Sequence, residues 1–274
     1  MSERTAFVLG GGGLLGAVEV GMVRALFEHD VQPDLIVGTS VGALNGLVVA
    51  SDPTPGVVDR LLDLWRSVSE SNDIYSDTPW RQVTRAMRTG THLHSAEPLR
   101  ERLETEFGDL TFDQLAVPFQ CCAASIERAA ETWFSEGRVV PAVVASAAVP
   151  GLLPPARVGN EHYLDGGIVN SIPIGRAIEL GATRLFVLQV GRIDRPLKAP
   201  RKPWEVARVS FEIARRHRFV REIAELPEGV VAHVLPAGGT AEDDSMRSYR
   251  DTTLVARRIE SAYEQSSAYL AEHL

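Results

Sequence analysis

The chain of 274 residues contains little cysteine and no long hydrophobic run. Its two cysteines, Cys121 and Cys122, are adjacent, which rarely permits a disulfide, and no group of His and Cys has the spacing of a zinc site. No apolar run approaches the roughly 18 residues that a membrane-spanning helix needs. The first residues lack the apolar region and cleavage site of a signal peptide. We therefore expect a soluble, cytoplasmic protein with no metal and no cofactor.

Basic residues are outnumbered by acidic ones, 28 to 36, and they are unevenly distributed. The formal net charge is −8, which argues against nucleic acid as a partner. Residues 198–221 differ, with eight basic and two acidic residues among several apolar ones. Because basic amphipathic helices can lie on anionic membranes, one hypothesis for 201–221 is peripheral membrane contact. The alternative is a helix that docks on the protein and leaves a solvated basic face.

Short apolar runs alternate with longer stretches of helical periodicity, which is typical of a layered α/β fold. The sequence contains no linker that would divide it. We expect one domain over 1–274, in which 5–190 carries the motifs and 200–274 completes the fold. Strands are predicted at 5–9, 35–37, 117–125, 131–134, 162–164, 184–190 and 230–235, and helices at 15–27, 41–50, 57–68, 140–148, 204–226 and 248–273, with a further helix beginning at 95–98.

A run of glycines between the first strand and the first helix is the first candidate site. Gly10 to Gly13 form a loop whose backbone N–H groups can hold negative charge at a helix start. Gly11, Gly13 and Gly16 also satisfy the G-x-G-x-x-G pattern of dinucleotide-binding loops. That interpretation needs an acidic residue after the second strand. Asp34 precedes the strand instead, so a nucleotide-binding module is a weak alternative.

Residues 38–42 read Gly-Thr-Ser-Val-Gly between a predicted strand and a predicted helix. This is the G-x-S-x-G pattern of a nucleophile elbow in its required context, with Ser40 exposed by a sharp turn. Gly38 and Gly42 lie where a Cβ would collide across the turn. The alternative is an ordinary helix cap, for which Ser is also well suited. No histidine has a motif around it, so a Ser40 nucleophile needs another base.

Asp165 follows a short strand and is followed by Gly166 and Gly167. A carboxylate in this context can lie in a confined place where other chain segments approach closely. The alternative is a common Asp-Gly turn. Its occurrence downstream of the glycine loop and of the Ser40 motif favours a functional site over a simple turn.

These blocks, together with residues 145–155 (Ala-Ser-Ala-Ala-Val-Pro-Gly-Leu-Leu-Pro-Pro), resemble the patatin-like phospholipases, which are Ser–Asp acyl hydrolases. The resemblance extends from about 7 to 190. It implies a three-layer α/β/α sandwich with a mainly parallel central sheet. It also implies Ser40 as the nucleophile, Asp165 as its base, and an oxyanion hole lined by the backbone N–H groups near Gly11, Gly12 and Gly13.

One position departs from that family, whose members often carry Arg or Lys where this chain has Leu15. The resemblance therefore implies an esterase of the phospholipase A or lysophospholipase type, with less preference for charged head groups. Alternatives are an acyltransferase or thioesterase with the same dyad, or a non-catalytic regulatory protein of this fold. Residues 73–94 are a candidate cap over the acyl pocket, and a packed surface loop is the alternative. The sequence does not determine the natural substrate, acyl length or oligomeric state.

Overall fold

The computed structural model describes residues 3–70, 92–191, 196–201, 203–238 and 252–274. The candidate cap lies outside the described residues except for its last three positions, 92–94. The described strands all belong to one sheet.

The sheet has eight strands, five of which run parallel to one another. The parallel strands follow the order β3-β2-β1-β7-β8, and the other three strands join antiparallel at the β3 end. This confirms the prediction of a mainly parallel sheet. The strands are β1 (Thr5–Leu9), β2 (Leu35–Thr39), β3 (Phe119–Ser125), β4 (Ala130–Phe134), β5 (Ala156–Val158), β6 (Glu161–Asp165), β7 (Arg184–Leu188) and β8 (Val231–Val234).

Helices flank the sheet on both faces. The helices of the described residues are α1 (Val18–Glu28), α2 (Val41–Ser51), α3 (Val57–Glu70), α4 (Glu97–Phe107), α5 (Val139–Ser146), α6 (Gly167–Asn170), α7 (Ile174–Glu179), α8 (Pro203–Ala224) and α9 (Thr252–His273). Two 3₁₀ segments, Gly13–Ala17 and Phe112–Gln114, add to them. None of the described helices is both long and apolar enough to cross a membrane.

Alternation along the strands divides the apolar side chains between two cores. Phe7 and Leu9 of β1 enter the larger core, which α1, α2, α3, α4, α5 and α9 cover. Ala6 and Val8 enter the smaller core on the opposite face, with α7 and part of α8. All four side chains are fully buried, as expected for strands that are covered on both faces. The sheet and the helices that pack over each of its two faces are the three predicted layers.

Strand β3 has a junction on one of its edges. Residues 121 and 122 pair with β2 on one side and with β4 on the other. Residues 123–125 pair with β4 on one edge of β3 and with β6 on the other. Because β4 occupies the same edge along its whole length, β6 lies on the edge of β3 that β2 also uses. Thr39 at the end of β2 pairs with Cys122, and Asp165 at the end of β6 pairs with Ala123. The carboxyl ends of two oppositely directed strands therefore meet at consecutive positions of β3.

Two element boundaries differ from the sequence predictions near this junction. The first helix was expected from residue 15, but residues 13–17 form a 3₁₀ segment and the α-helix begins at Val18. The second strand was expected to end at Val37, but it continues through Gly38 to Thr39 because it pairs with β1 and β3 up to its end. Its carboxyl end therefore lies directly before Ser40.

Candidate active site

Ser40 lies in a strained turn between β2 and α2. Its φ of 56° and ψ of −122° are rare for a residue with a side chain, and such strain costs about 1–3 kcal/mol. The turn is possible because its two glycines allow backbone atoms to approach closely. A Cβ on Gly38 would lie 2.4 Å from the Gly42 carbonyl oxygen, and a Cβ on Gly42 would lie 2.3 Å from that of Leu9. The local geometry is that of a nucleophile elbow.

The junction on β3 brings Asp165 to this turn. Ser40 Oγ donates a hydrogen bond of 2.6 Å to Asp165 Oδ2, although the two residues are 125 positions apart. Both residues are buried, with 5% of Ser40 and 3% of Asp165 exposed. Gly166 permits the approach of β6 to β3, since a Cβ there would lie 2.2 Å from the Cys122 carbonyl oxygen.

Burial controls the electrostatics of Asp165. It raises the pKa of the carboxyl group from 3.8 to about 6, against the opposing effect of hydrogen bonds from Ser40 and from the backbone N–H of Gly167. The Gly167 N–H donates to Asp165 Oδ1 at 2.7 Å, which leaves Oδ2 directed at the serine. A carboxylate with a raised pKa is a stronger base than an exposed one, while it is still ionised at neutral pH.

The glycine loop lies beside Ser40. The nearest approach is at Gly11, where a Cβ would lie 3.4 Å from the Cβ of Ser40. The Gly11 N–H already donates to the Ser171 carbonyl oxygen at 2.8 Å, and Gly11 is buried. Gly12 and Gly13 are only partly buried, and within the described part of the chain their N–H groups donate no hydrogen bond. These two amides are therefore available to an incoming anion, whereas that of Gly11 anchors the loop.

Two further glycines of the motifs lie at close contacts between elements. A Cβ on Gly16 would lie 2.3 Å from Val41 Cγ2, so this glycine lets the 3₁₀ segment pack on the first turn of α2. A Cβ on Gly167 would lie 2.6 Å from the ring of Phe211 on α8. Helix α8 therefore packs directly over the loop that follows Asp165.

Ser146 is a site residue that the sequence analysis did not identify. Its hydroxyl accepts a hydrogen bond of 2.9 Å from the Ser40 N–H and donates one of 2.6 Å to the Cys122 carbonyl oxygen. Its carbonyl oxygen accepts a hydrogen bond from the Gly166 N–H at 3.2 Å. Ser146 thus connects the elbow, β3 and the Asp165 loop. Its position in the segment 145–155 that carries the family resemblance was the one available signal.

A buried polar network lies behind the glycine loop. Asn45 Nδ2 donates to Glu19 Oε2 at 2.7 Å and to the Gly16 carbonyl oxygen at 3.0 Å, while Trp65 Nε1 donates to Asn45 Oδ1 at 3.1 Å. Glu19 is fully buried, and burial raises its pKa well above the ordinary value, against the hydrogen bond from Asn45. Glu19 and Asn45 therefore help to tie α1, α2 and α3 to the loop.

The cysteines and histidines stand apart from this chemistry. Cys121 and Cys122 are fully buried in β3, and burial raises the pKa of both thiols. His162 Nδ1 lies 2.7 Å from a carboxylate oxygen of Glu127 on the surface, and His233 stacks on Phe186. No group of three or more His, Cys, Asp or Glu residues in the described ranges could hold a metal ion.

Comparisons with known proteins identify the family of this chain. The sequence model described as patatin-like phospholipase matches residues 7–178, more than half of the chain. Lysophospholipase nte1 of Aspergillus terreus is 29% identical over 191 residues, which cover 68% of this chain and 12% of that protein. Lysophospholipase NTE1 of Saccharomyces cerevisiae is 27% identical over 196 residues, covering 70% and 11%. The chain therefore spans only a small part of the length of these curated relatives.

Solved structures resemble the chain more distantly. VipD from Legionella pneumophila aligns with a TM-score of 0.49 and 14% identity, covering 99% of this chain and 67% of VipD. ExoU in its complex with SpcU from Pseudomonas aeruginosa aligns with a TM-score of 0.41 and 13% identity, covering 99% and 52%. The assignment rests on the sequence match, which includes the glycine loop, Ser40 and Asp165. This chain belongs to the patatin-like phospholipase family.

Proposed function

We propose that this protein is a serine acyl hydrolase that cleaves carboxylic esters of lipids, of the phospholipase A or lysophospholipase type. Ser40 is the nucleophile and Asp165 its base. The observation that carries the proposal is the 2.6 Å hydrogen bond from Ser40 Oγ to a buried carboxylate, next to a loop with two amides available to an anion. A weak alcohol nucleophile needs such a base within hydrogen-bond reach.

In the first half of the reaction, Ser40 Oγ attacks the ester carbonyl carbon while its proton passes to Asp165 Oδ2. The carbonyl π electrons move to the oxygen, and the N–H groups of Gly12 and Gly13 bind this oxyanion. Each such donor contributes about 3 kcal/mol to transition-state stabilisation in comparable sites. The bond to the leaving alcohol then breaks, and Asp165 returns the proton to the alcohol oxygen.

In the second half, water attacks the acyl-serine carbonyl carbon and gives a proton to Asp165. Collapse of the tetrahedral intermediate releases the fatty acid, and the proton returns to Ser40 Oγ. The hydrogen bond from the Gly167 N–H to Asp165 Oδ1 keeps the carboxylate oriented in both halves. The chain needs no further titratable group for this cycle, which is consistent with the absence of a histidine motif.

A lipid ester as the substrate is supported by the relatives, since both of those described above are named lysophospholipases. Leu15 stands where family members often carry a basic residue. It is partly buried beside Gly12 and Gly191. Without a cation at this position, we propose that the site tolerates esters with uncharged alcohol parts as well as lysophospholipids.

The test of the proposed chemistry is a Ser40→Ala substitution. The purified variant should lose hydrolysis of a short-chain aryl ester and labelling by a fluorophosphonate probe, with an unchanged circular dichroism spectrum. Ser51→Ala, at the other end of α2, is the matched control, because Ser51 Oγ bonds only within its own helix turn and to Arg60. Full turnover by the Ser40→Ala protein would refute the assignment.

Two rival functions give different results in the same assays. An acyltransferase or thioesterase with this dyad would label with the fluorophosphonate but would transfer the acyl group to an added alcohol, or would prefer a thioester, in product analysis. A non-catalytic protein of this fold would leave Ser40 unlabelled in well-folded wild type. A nucleotide-binding module would show a thermal shift with dinucleotides.

Peripheral membrane contact through residues 201–221 also remains a proposal. The sequence hypothesis combined an apolar surface with basic side chains, and the exposure of two of those basic side chains limits their share. Arg215 is 5% exposed and Arg218 is only partly exposed, so these two guanidinium groups are not part of a solvated basic face.

A further inference from the structure

Helix α8 directs much of its charge toward the protein. Arg215 Nη1 donates to the Val190 carbonyl oxygen at 3.2 Å, and its Nη2 lies 2.9 Å from a carboxylate oxygen of Glu212. The hydrogen bonds and charges of Arg215 and Arg216 lower the pKa of Glu212, although burial opposes them. Arg215 and Glu212 therefore face the segment after β7, at Val190, and not the solvent.

A second charged cluster of α8, Arg218 and Glu222, forms hydrogen bonds with the segment that follows Asp165. Arg218 Nη1 donates to the Val169 carbonyl oxygen of α6 at 2.7 Å, and its Nε lies 2.8 Å from Glu222. Glu222 in turn accepts a hydrogen bond from the Gly175 N–H at 3.3 Å. The face of this helix that docks on the protein therefore combines these charged groups with the apolar side chains of Phe211 and Phe219.

The opposite side of α8 is largely apolar and exposed. Its exposed residues, which we call the outer face, are Val206, Ser210, Ile213, Ala214, His217, Val220, Arg221 and Ala224. Val206, Ile213 and Val220 are 50%, 55% and 58% exposed. Their seven-residue spacing is about two helical turns, so they form one stripe about 21 Å long. This helix therefore exposes an apolar stripe in addition to the apolar residues, such as Phe219, that it packs into the smaller core.

The outer face continues toward the ester site. Ile168 on α6 is 41% exposed and lines the same small cleft as Ala214 of α8. It follows Gly167, whose N–H holds Asp165, and Phe211 of α8 packs over that glycine. Four of the seven exposed large hydrophobic residues in the described ranges are therefore Ile168 and the three residues of the stripe.

The charges around the outer face discriminate between possible occupants. Among the α8 residues whose burial is described, none of the exposed ones is acidic, and exposed Lys198, Arg201 and Arg221 flank the stripe at its two ends. A second copy on this face would bring these three cations of each chain together, and directly after the helix only one acidic residue, the exposed Glu225, could offset them. An anionic lipid surface offers an apolar interior to the stripe and negative head groups to the flanking cations.

We infer that the outer face of α8, together with Ile168, docks the protein on the surface of an anionic phospholipid membrane, beside the ester site. Docking depends on the apolar stripe, and the flanking cations add to it. The surface is separate from the proposed chemistry at Ser40, so inactive Ser40→Ala protein should bind vesicles as the wild type does. Failure of docking and failure of the proposed hydrolysis are therefore distinguishable.

The test is co-sedimentation with sucrose-loaded vesicles of phosphatidylcholine and phosphatidylglycerol. The triple variant Val206→Ser, Ile213→Ser and Val220→Ser should reduce the vesicle partition coefficient by about tenfold or more, because it removes most of the buried aliphatic surface. Its hydrolysis of a soluble aryl ester should be unchanged. A matched control variant replaces Ile126, Val231 and Leu274 by Ser. These hydrophobic residues are also exposed, by 46%, 54% and 54%, but lie outside the outer face, so their substitution should have no effect on binding.

A labelling experiment tests the same surface without removing apolar groups. Since both native cysteines are fully buried, Ile213→Cys can carry an environment-sensitive fluorophore on the folded protein. Its emission should shift to the blue when these vesicles are added, and that of a label at Val231→Cys should not. Wild-type protein that fails to bind, or an outer-face triple variant that binds like wild type, overturns the proposal. The proposal is also overturned if the wild type is a dimer, the triple variant is a monomer, and neither binds vesicles. That result would assign the outer face to a second copy of the chain.

Discussion

Substitution of Asp165 by Asn should inactivate the protein and stabilise it at the same time. The carboxyl group is buried, and its pKa is raised by burial from 3.8 to about 6. Asn has nearly the same size and can still accept from the Gly167 N–H, so the substitution removes the buried charge with little change in packing. The loss of the general base should reduce kcat/KM for an aryl ester by about 10³-fold.

The stability effect has a defined pH dependence. Below pH 3.8 the carboxyl group is protonated in both the folded and the unfolded chain, and it adds no pH-dependent difference. Between 3.8 and about 6 the unfolded chain ionises while the folded protein keeps its proton, so wild-type stability falls as the pH rises. A difference of about 2 pKa units corresponds to about 3 kcal/mol, which is fully lost above pH 6.

Urea unfolding measures this effect directly. The free energy of unfolding of Asp165→Asn should exceed that of wild type by about 2–3 kcal/mol at pH 8, and the excess should shrink steadily toward pH 4. Asp109→Asn, at a side chain that is 94% exposed, is the matched control and should show no such trend. An excess that is the same at pH 4 and pH 8, or wild-type esterase activity in Asp165→Asn, would refute the reasoning.

The remaining predictions concern the same site. Wild-type kcat/KM should rise about tenfold per pH unit up to the Asp165 pKa of about 6 and then level off; a flat profile from pH 4.5 to 8 contradicts an ionised base. Ser146→Ala leaves the Ser40 N–H without its acceptor. The free energy of unfolding in urea should therefore fall by about 1–3 kcal/mol, and aryl ester turnover should fall about tenfold. Unchanged values of both would contradict a positioning role for Ser146. Gly42→Ala places a Cβ 2.3 Å from a backbone carbonyl oxygen and should cost about 3 kcal/mol or more, whereas Gly56→Ala makes only ordinary contact and should fold normally, as circular dichroism would report.

Local sequence patterns predicted much of the fold because they reflect local requirements. The apolar run of 5–9 became β1 with the predicted bounds, since a strand covered on both faces reads as a continuous hydrophobic segment. The short antiparallel strand β5, Ala156–Val158, was missed because three residues with an exposed Arg157 carry no periodic signal. Its pairing with β6, not its composition, makes it a strand.

Helix α8 shows how charge composition alone can mislead. The excess of basic residues predicted a solvated basic face, yet Arg215 and Arg218 contact backbone carbonyl oxygens of distant segments. Those carbonyl oxygens belong to residues 25 and 49 positions away, so no local pattern could reveal them. The apolar stripe was visible in the sequence, but only the packed structure shows on which side of the helix it lies.

The sequence by itself determined the chemical groups of the site: the serine in its Gly-x-Ser-x-Gly turn, the acid before two glycines, and the glycine loop. Each is encoded locally, because a turn with φ of 56° and close backbone approaches demand these residue types at fixed spacing. The tertiary structure decided which of these groups meet. Ser40 reaches Asp165 because β2 and β6 end at adjacent positions on one edge of β3, and that pairing depends on strand register across more than 120 residues. The tertiary structure also assigned the Gly11 amide to Ser171 and left those of Gly12 and Gly13 available, since hydrogen bonding between distant segments is settled only when the layers pack.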